Sequence, residues 1–307
     1  MGIEMHTANI GRRTAAGAAT IALGIGFAVA PDEPARAGGT SPVLVTAASD
    51  NDDSTAKTVT ATCPAGTAFA AGARVVNGGG GVVLTAMMPD QQLTSVTVTA
   101  KARTGHVGPW SVVAHVTCDM STSTPVPVTV TVRSASTAEV SCPEGTHLVG
   151  TGFRLEGSVD HTYVDEVAFG TGLRTVRVHA GGVAEPESLT AAVICKEPTQ
   201  PSGPPGERVE ATSEYDGVWP KTAVTEDSRP DVHSYAVGAS VVGNGEFFLS
   251  ALIPGRSLRG AGAEAVRASR LPAAAVGDGR QGGTDRGTDG EGEGSLTVST
   301  LLMAAFH

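Results

Sequence analysis

Large rings are scarce in this chain: only 12 of its 307 residues are Phe, Tyr or Trp. A ligand face built from many aromatic platforms is therefore excluded. Lysine is rarer still, at 4 against 17 arginines, and 31 acidic residues leave a net charge of −10. Nucleic acid is a poor partner for such a chain, because phosphate neutralisation needs basic clusters. No Cys-x-x-Cys pair occurs, which excludes the usual thiol-redox and zinc-ribbon patterns. Neither G-x-S-x-G, G-x-x-x-x-G-K-[ST] nor a strand-to-helix G-x-G-x-x-G is present, so a hydrolase elbow and a phosphate cradle lack their signatures. Helical periodicity of any length is missing. Beyond residue 37 no apolar run reaches the roughly 20 residues that span a bilayer.

What is present begins with a leader. Arg12 and Arg13 precede the apolar run TAAGAATIALGIGFAVA, and Ala35-Arg36-Ala37 stands before Gly38, the order of a secretory signal peptide at 1–37. A retained anchor is the alternative, but the run is short for one. The signal holds three basic and three acidic residues, so the mature chain keeps the charge of −10. Secretion, with no membrane span after signal removal, is the expectation.

Forty glycines, eighteen prolines and abundant Val, Thr and Ala favour turns and short strands. Segments such as KTVTATC, TSVTVTAKA, RTVRVHA and AEVSC alternate with the period of half-buried strands. Repetition organises them. TCPAGTAFAAGARVV closes on SVVAHVTC, and SCPEGTHLVGTGFRLEG closes on SLTAAVIC, with cysteine separations of 55 and 53. GASVVGNGEFFLSALIP, from 238 to 254, echoes GARVVNGGGGVVLTAMMP, from 72 to 89, and marks a third copy. Each phrase reads as two strands joined by a glycine-rich hairpin. Three all-β repeats follow, at 40–119, 120–198 and 207–307, the last carrying a glycine- and charge-rich insertion at 271–294 that is expected to be disordered.

In the third copy, Arg229 and Leu302 stand where the others have cysteine. Four cysteines allow three connectivities. Loss of both positions together favours bonds within each repeat, Cys63 to Cys118 and Cys142 to Cys195. A lone repeat of this size, poor in aromatics, has a weak core. The repeats are therefore expected to pool their sheets in a pseudo-threefold, β-prism-like assembly, with three tandem small β-sandwiches as the alternative.

The stretch Cys142-Pro-Glu-Gly-Thr-His-Leu-Val-Gly-Thr-Gly-Phe-Arg-Leu155 resembles the repeats of vitelline-membrane outer-layer proteins, which are β-prisms of three Greek-key units. Repeat 1 departs from that pattern, with Ala73-Arg74-Val75 where repeat 2 has Phe153-Arg154-Leu155. The pattern is more similar still to secreted proteins of high-GC bacteria with CPxGT-type β repeats. These resemblances imply a fold and a secreted setting, and they imply no activity.

Candidate sites are few. Asp160, His161, Asp165 and Glu166 offer oxygen and imidazole groups that a turn could converge on a cation, against a plain polar hairpin loop. Acidic residues of the 278–294 loop lack both calcium-loop periods. Trp110 and Trp219 are the candidate surface contacts for a glycan, against packing at strand ends. No catalytic group, cofactor or metal is assigned. The expected protein is a secreted, non-catalytic binding or structural component whose partner is unknown, with an extracellular glycan or cell-envelope polymer as the candidate ligand. A secreted hydrolase with a site spread between repeats is the alternative.

Overall fold

The computed structural model describes residues 42–120, 125–170, 172–197, 207–226, 232–243, 246–255, 260–268 and 293–304. The expected signal peptide, Arg229 and nearly all of the 271–294 insertion lie outside these residues. Every repeat contributes six strands. Repeat 1 supplies β1 (Val43–Ala48), β2 (Ala56–Thr62), β3 (Thr67–Val76), β4 (Val82–Pro89), β5 (Ser95–Ala102) and β6 (Ser111–Asp119). Repeat 2 supplies β7 (Val126–Arg133), β8 (Thr137–Ser141), β9 (His147–Glu156), β10 (Thr162–Phe169), β11 (Thr175–Gly182) and β12 (Ser188–Lys196). Repeat 3 supplies β13 (Glu207–Thr212), β14 (Lys221–Glu226), β15 (Val232–Gly243), β16 (Phe247–Pro254), β17 (Gly260–Arg267) and β18 (Gly294–Ala304).

Alternation places these strands as it should. In β2, Lys57 and Ala61 are buried while Thr58, Thr60 and Thr62 are exposed. On that outer face Thr58 and Thr60 join their hydroxyls to Thr99 and Thr97 of β5, at 3.1 and 2.9 Å. Such cross-strand pairs fix register on a face that packing does not hold.

The strands form three six-stranded antiparallel sheets, ordered β1-β6-β3-β16-β17-β14, β2-β5-β4-β9-β12-β7 and β13-β18-β15-β10-β11-β8. Each sheet therefore takes three strands from each of two repeats, and the rule closes cyclically. First, sixth and third strands of one repeat meet the fourth, fifth and second of another. The joins are short: Ala73 and Arg74 face Leu252 and Ala251, Phe153 and Arg154 face Met87 and Ala86, and Ala239 and Ser240 face Val167 and Glu166. One main cluster of buried residues draws on all three repeats, including Phe69, Leu84, Phe153, Leu189 and Leu252. The repeats share a core, and the tandem-sandwich alternative falls.

One expectation is corrected. The phrases at 72–89 and 238–254 are not β-hairpins, because β3 and β4 lie in different sheets, as do β15 and β16. A single 3-10 turn at Gly79–Gly81 carries the chain across the corner between sheets. Turn chemistry and alternation report where strands stop and which face is buried, and they do not name the pairing partner.

A seam glycine explains the repeated phrase. Gly72, Gly152 and Gly238 occupy the same place on their third strands, where a neighbouring repeat passes very close. A Cβ on Gly72 would lie 2.3 Å from Pro254 Cδ, one on Gly152 would lie 2.6 Å from the Met87 carbonyl oxygen, and one on Gly238 would lie 2.4 Å from that of Val167. Each repeat thus carries both a bare seam and the strand end that fills the next one.

Disulfides join Cys63 to Cys118 and Cys142 to Cys195. In repeat 3 the register sets Leu302 opposite Glu207, as Cys118 stands opposite Val43 and Cys195 opposite Val126. The structure thus places the lost cysteine where the sequence alignment does. At this disulfide end, Lys196 and Asp119 are buried 3.8 Å apart. The Lys196 ammonium also lies 4.7 Å from the Phe69 ring, a cation-π contact inside the shared core.

Candidate ligand-binding site

At the end opposite the disulfides, the corner connections between third and fourth strands bring the three repeats together. Register makes Val83, Tyr163 and Phe248 equivalent, each three positions before the residues that form the joins described above. With Val159, Val266 and Ala268 they make a second, smaller buried cluster. The Tyr163 and Phe248 rings lie 5.4 Å apart. Sequence alternation alone would put these three side chains on separate sheets, and only convergence of the fourth strands lets them touch.

Beside this cluster, and sharing Ala268 with it, opens a cavity of about 420 Å³. Its walls come from two sets of equivalent positions. The first is Gly81, His161 and Glu246, of which His161 and Glu246 line the space. The second is Arg103, Val183 and Ala268, all of which line it. Asp160 and Arg267 complete the wall. Where the fold repeats, the chemistry does not: one repeat offers a guanidinium where the others offer Val and Ala. Repeat 1 leaves its corner as glycine because His106 packs there, with Nδ1 2.5 Å from where a Gly81 Cβ would sit.

Arg103 dominates the site. Its residue is 5% exposed, and Nη2 donates to the Asp160 carbonyl at 2.7 Å. Glu246 Oε2 is 3.7 Å from the same nitrogen, an ion pair without a close hydrogen bond. Nε and Nη1 are buried and have no hydrogen-bond partner among the described residues. Asp160 does not supply one, since its carboxylate accepts from Thr104 N at 2.7 Å and Thr104 Oγ1 at 2.6 Å. Burial pushes the Asp160 carboxyl up, but the Thr104 hydrogen bonds and the Arg103 and His161 charges outweigh it and leave its pKa below the usual range. Under the wall, burial first and the Glu246 and Asp165 charges second raise the Tyr163 phenol to about 12, against the opposing pull of Arg103. Tyr163 thus stays a neutral donor at any physiological pH.

The residues singled out in the sequence fare differently. Asp160 and His161 reach the cavity. Asp165 and Glu166 lie in β10 and look elsewhere: Asp165 Oδ1 pairs with His179 Nδ1 at 2.7 Å, and Glu166 accepts from Arg177 Nε at 2.8 Å. The four therefore do not converge, and among the described residues no group of three His, Cys, Asp or Glu side chains could hold a metal ion. Residues 162–166 are strand rather than loop, because the corner turn ends at His161. Trp110 is fully buried beneath Lys57, whose ammonium is 5.1 Å from the ring. Trp219 stacks on Phe247 at 4.0 Å and an interplanar angle of 12°. Both tryptophans fill strand-end space, and Trp110 offers no surface to a ligand.

The chain matches no protein-family model and no curated protein. Its chemistry must then speak through the cavity. Arg103, Glu246 and Arg267 carry no motif, so a reading of local sequence passes over them. One signal was available: once the repeats are aligned, these are corner positions at which three otherwise similar units hold unlike residues.

Proposed function

We propose that this chain is a secreted, non-catalytic β-prism protein that binds a small saccharide in the end cavity between its three repeats. The carrying observation is the cavity itself, whose lining sets the guanidinium-bearing Arg103 and Arg267 beside the carboxylate of Glu246, with His161, Val183 and Ala268 in the same wall. Donors and acceptors in one wall, with the apolar Val183 and Ala268 beside them, suit a polyhydroxylated ring, whose hydroxyls both give and accept hydrogen bonds. A volume of about 420 Å³ lies toward the small end of ligand pockets, which favours a short saccharide over a long polymer segment. Two disulfides are compatible with an oxidising, extracellular setting.

The hydrolase alternative has two carboxylates at the cavity to recommend it. It needs one of them protonated as a general acid. Asp160 is held ionised by Thr104 and Arg103, the wrong direction for that task. A panel of neutral and acidic mono- and oligosaccharides titrated into the mature protein tests the proposal. Reversible binding without turnover is expected, and Glu246→Ala should weaken the neutral sugars at least tenfold. Release of reducing sugar would favour the hydrolase, and silence across the panel would end the saccharide reading.

A further inference from the structure

The cavity has a buried cation whose partners are incomplete. An arginine carries five N–H donors. In Arg103 one Nη2 hydrogen is spent on the Asp160 carbonyl, while the single Nε–H and the two Nη1–H groups have no acceptor among the described residues. Buried donors of this kind are rare in folded proteins, and each calls for a water, an ion or a ligand. Its counter-charges are also weak. Asp160 spends its carboxylate oxygens on Thr104, and Glu246 stands 3.7 Å off with 46% of its side chain exposed. Arg267 brings a second guanidinium to the same wall. A neutral sugar could accept some of these hydrogens but would leave the charge where it is. A carboxylate answers both needs, because it offers about four lone-pair sites and a full negative charge to a planar guanidinium.

We propose that the ligand of this cavity carries a carboxylate, as a uronic acid residue does, and that Arg103 is the residue that selects it. The inference rests on the saccharide reading above. Net charge bounds the ligand further. A chain at −10 repels an extended polyanion, whereas a single carboxylate seated against Arg103 feels the local field, since exposed charges are screened beyond about 8 Å at physiological salt. The favoured ligand is therefore a short acidic saccharide rather than a polyuronate.

Isothermal titration of the mature protein with glucuronate, glucose, a glucuronate-containing disaccharide, its neutral counterpart, acetate and inorganic sulfate tests this. Wild type is expected to prefer each acidic sugar over its neutral partner by at least tenfold, with acetate and sulfate weaker than glucuronate. Arg103→Gln should bring the acid-to-neutral ratio to about one, Arg103→Lys should keep part of it, and Arg177→Gln on the outer face should leave it unchanged. Should Arg103→Gln fail to fold, the wild-type ratio and its reduction in Arg267→Gln decide. Equal affinity for acidic and neutral sugars would overturn the inference and leave the saccharide reading standing. Binding of acetate or sulfate as tight as glucuronate would instead overturn the saccharide reading and keep an anion site. No binding by any probe would overturn both.

Discussion

Lys57 and Lys221 show how the repeats keep one solution while changing its parts. Each lysine is buried, donates to a backbone carbonyl seven residues earlier in the chain and pairs with an aspartate, Asp52 or Asp216. Beneath Lys57 lies Trp110, whose register position in repeat 3 is Gly294. There the indole of Trp219, from the opposite strand lead-in, fills the space, 2.8 Å from where a Gly294 Cβ would be. The two tryptophans are thus exchanged pieces of one packing plan, which sequence alone presents as two unrelated strand-end residues. Gly152 has no such freedom to be replaced. Gly152→Val puts branched carbon against the Met87 carbonyl, and a loss of about 1–3 kcal/mol or more is expected from overpacking, read as a lowered urea midpoint. A midpoint equal to wild type would mean that the seam can open.

Acid stability also belongs to single residues. Hydrogen bonds with Lys57 and Lys221 lower the Asp52 and Asp216 carboxyls, and in Asp90 and Asp160 hydrogen bonds from Thr94 and Thr104 overcome the upward push of burial. With folded pKa values below the unfolded value of about 3.9, the unfolded chain binds more protons in that window. Their contribution is full above about pH 4 and is lost as pH falls through the folded values. Asp165 has the opposite sign, since burial raises its pKa, so its cost to the fold eases as pH drops. Burial first, and the Lys196 charge second, lower the His147 imidazole, so the unfolded chain takes up its proton first; urea midpoints are expected to decline modestly below about pH 6.5 and more steeply below about pH 4. Asp160→Asn should flatten the drop.

Among the elements, the strands were legible and their partners were not. Alternation in KTVTATC, TSVTVTAKA, AEVSC and RTVRVHA marks β2, β5, β8 and β11. Glycine-rich corners resemble hairpins locally, because a local pattern sees the turn and not the distant strand that outcompetes the near one. The disulfides were readable from repeat logic, through a pair lost together. Each closes a loop of more than 50 residues, worth about 4 kcal/mol on the chain-entropy estimate. Cys142→Ala with Cys195→Ala should therefore lower stability by roughly that amount. Repeat 3, which the register gives Leu302 in place of a bridge, has the same two sheet joins as the other repeats, β3–β16 and β10–β15.

For the whole molecule, shared sheets imply shared stability. A fragment spanning 120–198 would keep β7-β12-β9 and β10-β11-β8 but lose the other half of both sheets. It is expected to lack near-ultraviolet circular dichroism and a cooperative transition, whereas residues 40–307 should unfold in one step. Cooperative unfolding of the fragment would show that a repeat stands alone. The candidate site exists only at this scale. Asp160 and His161 were visible as a polar pair, but Arg103, Glu246 and Arg267 come from other repeats and meet them only when three corners converge.

The sequence by itself determined the strand class, the threefold repetition and the scarcity of conventional catalytic motifs, because these depend on period and composition, and it favoured the cysteine pairing through two positions lost together. Tertiary structure decided which strands pair, that the glycine-rich phrases are corners with a seam glycine between repeats, and that unlike side chains gather into one cavity. Those outcomes depend on contacts between residues far apart in the chain, where close approach and burial choose among pairings that local patterns leave equal.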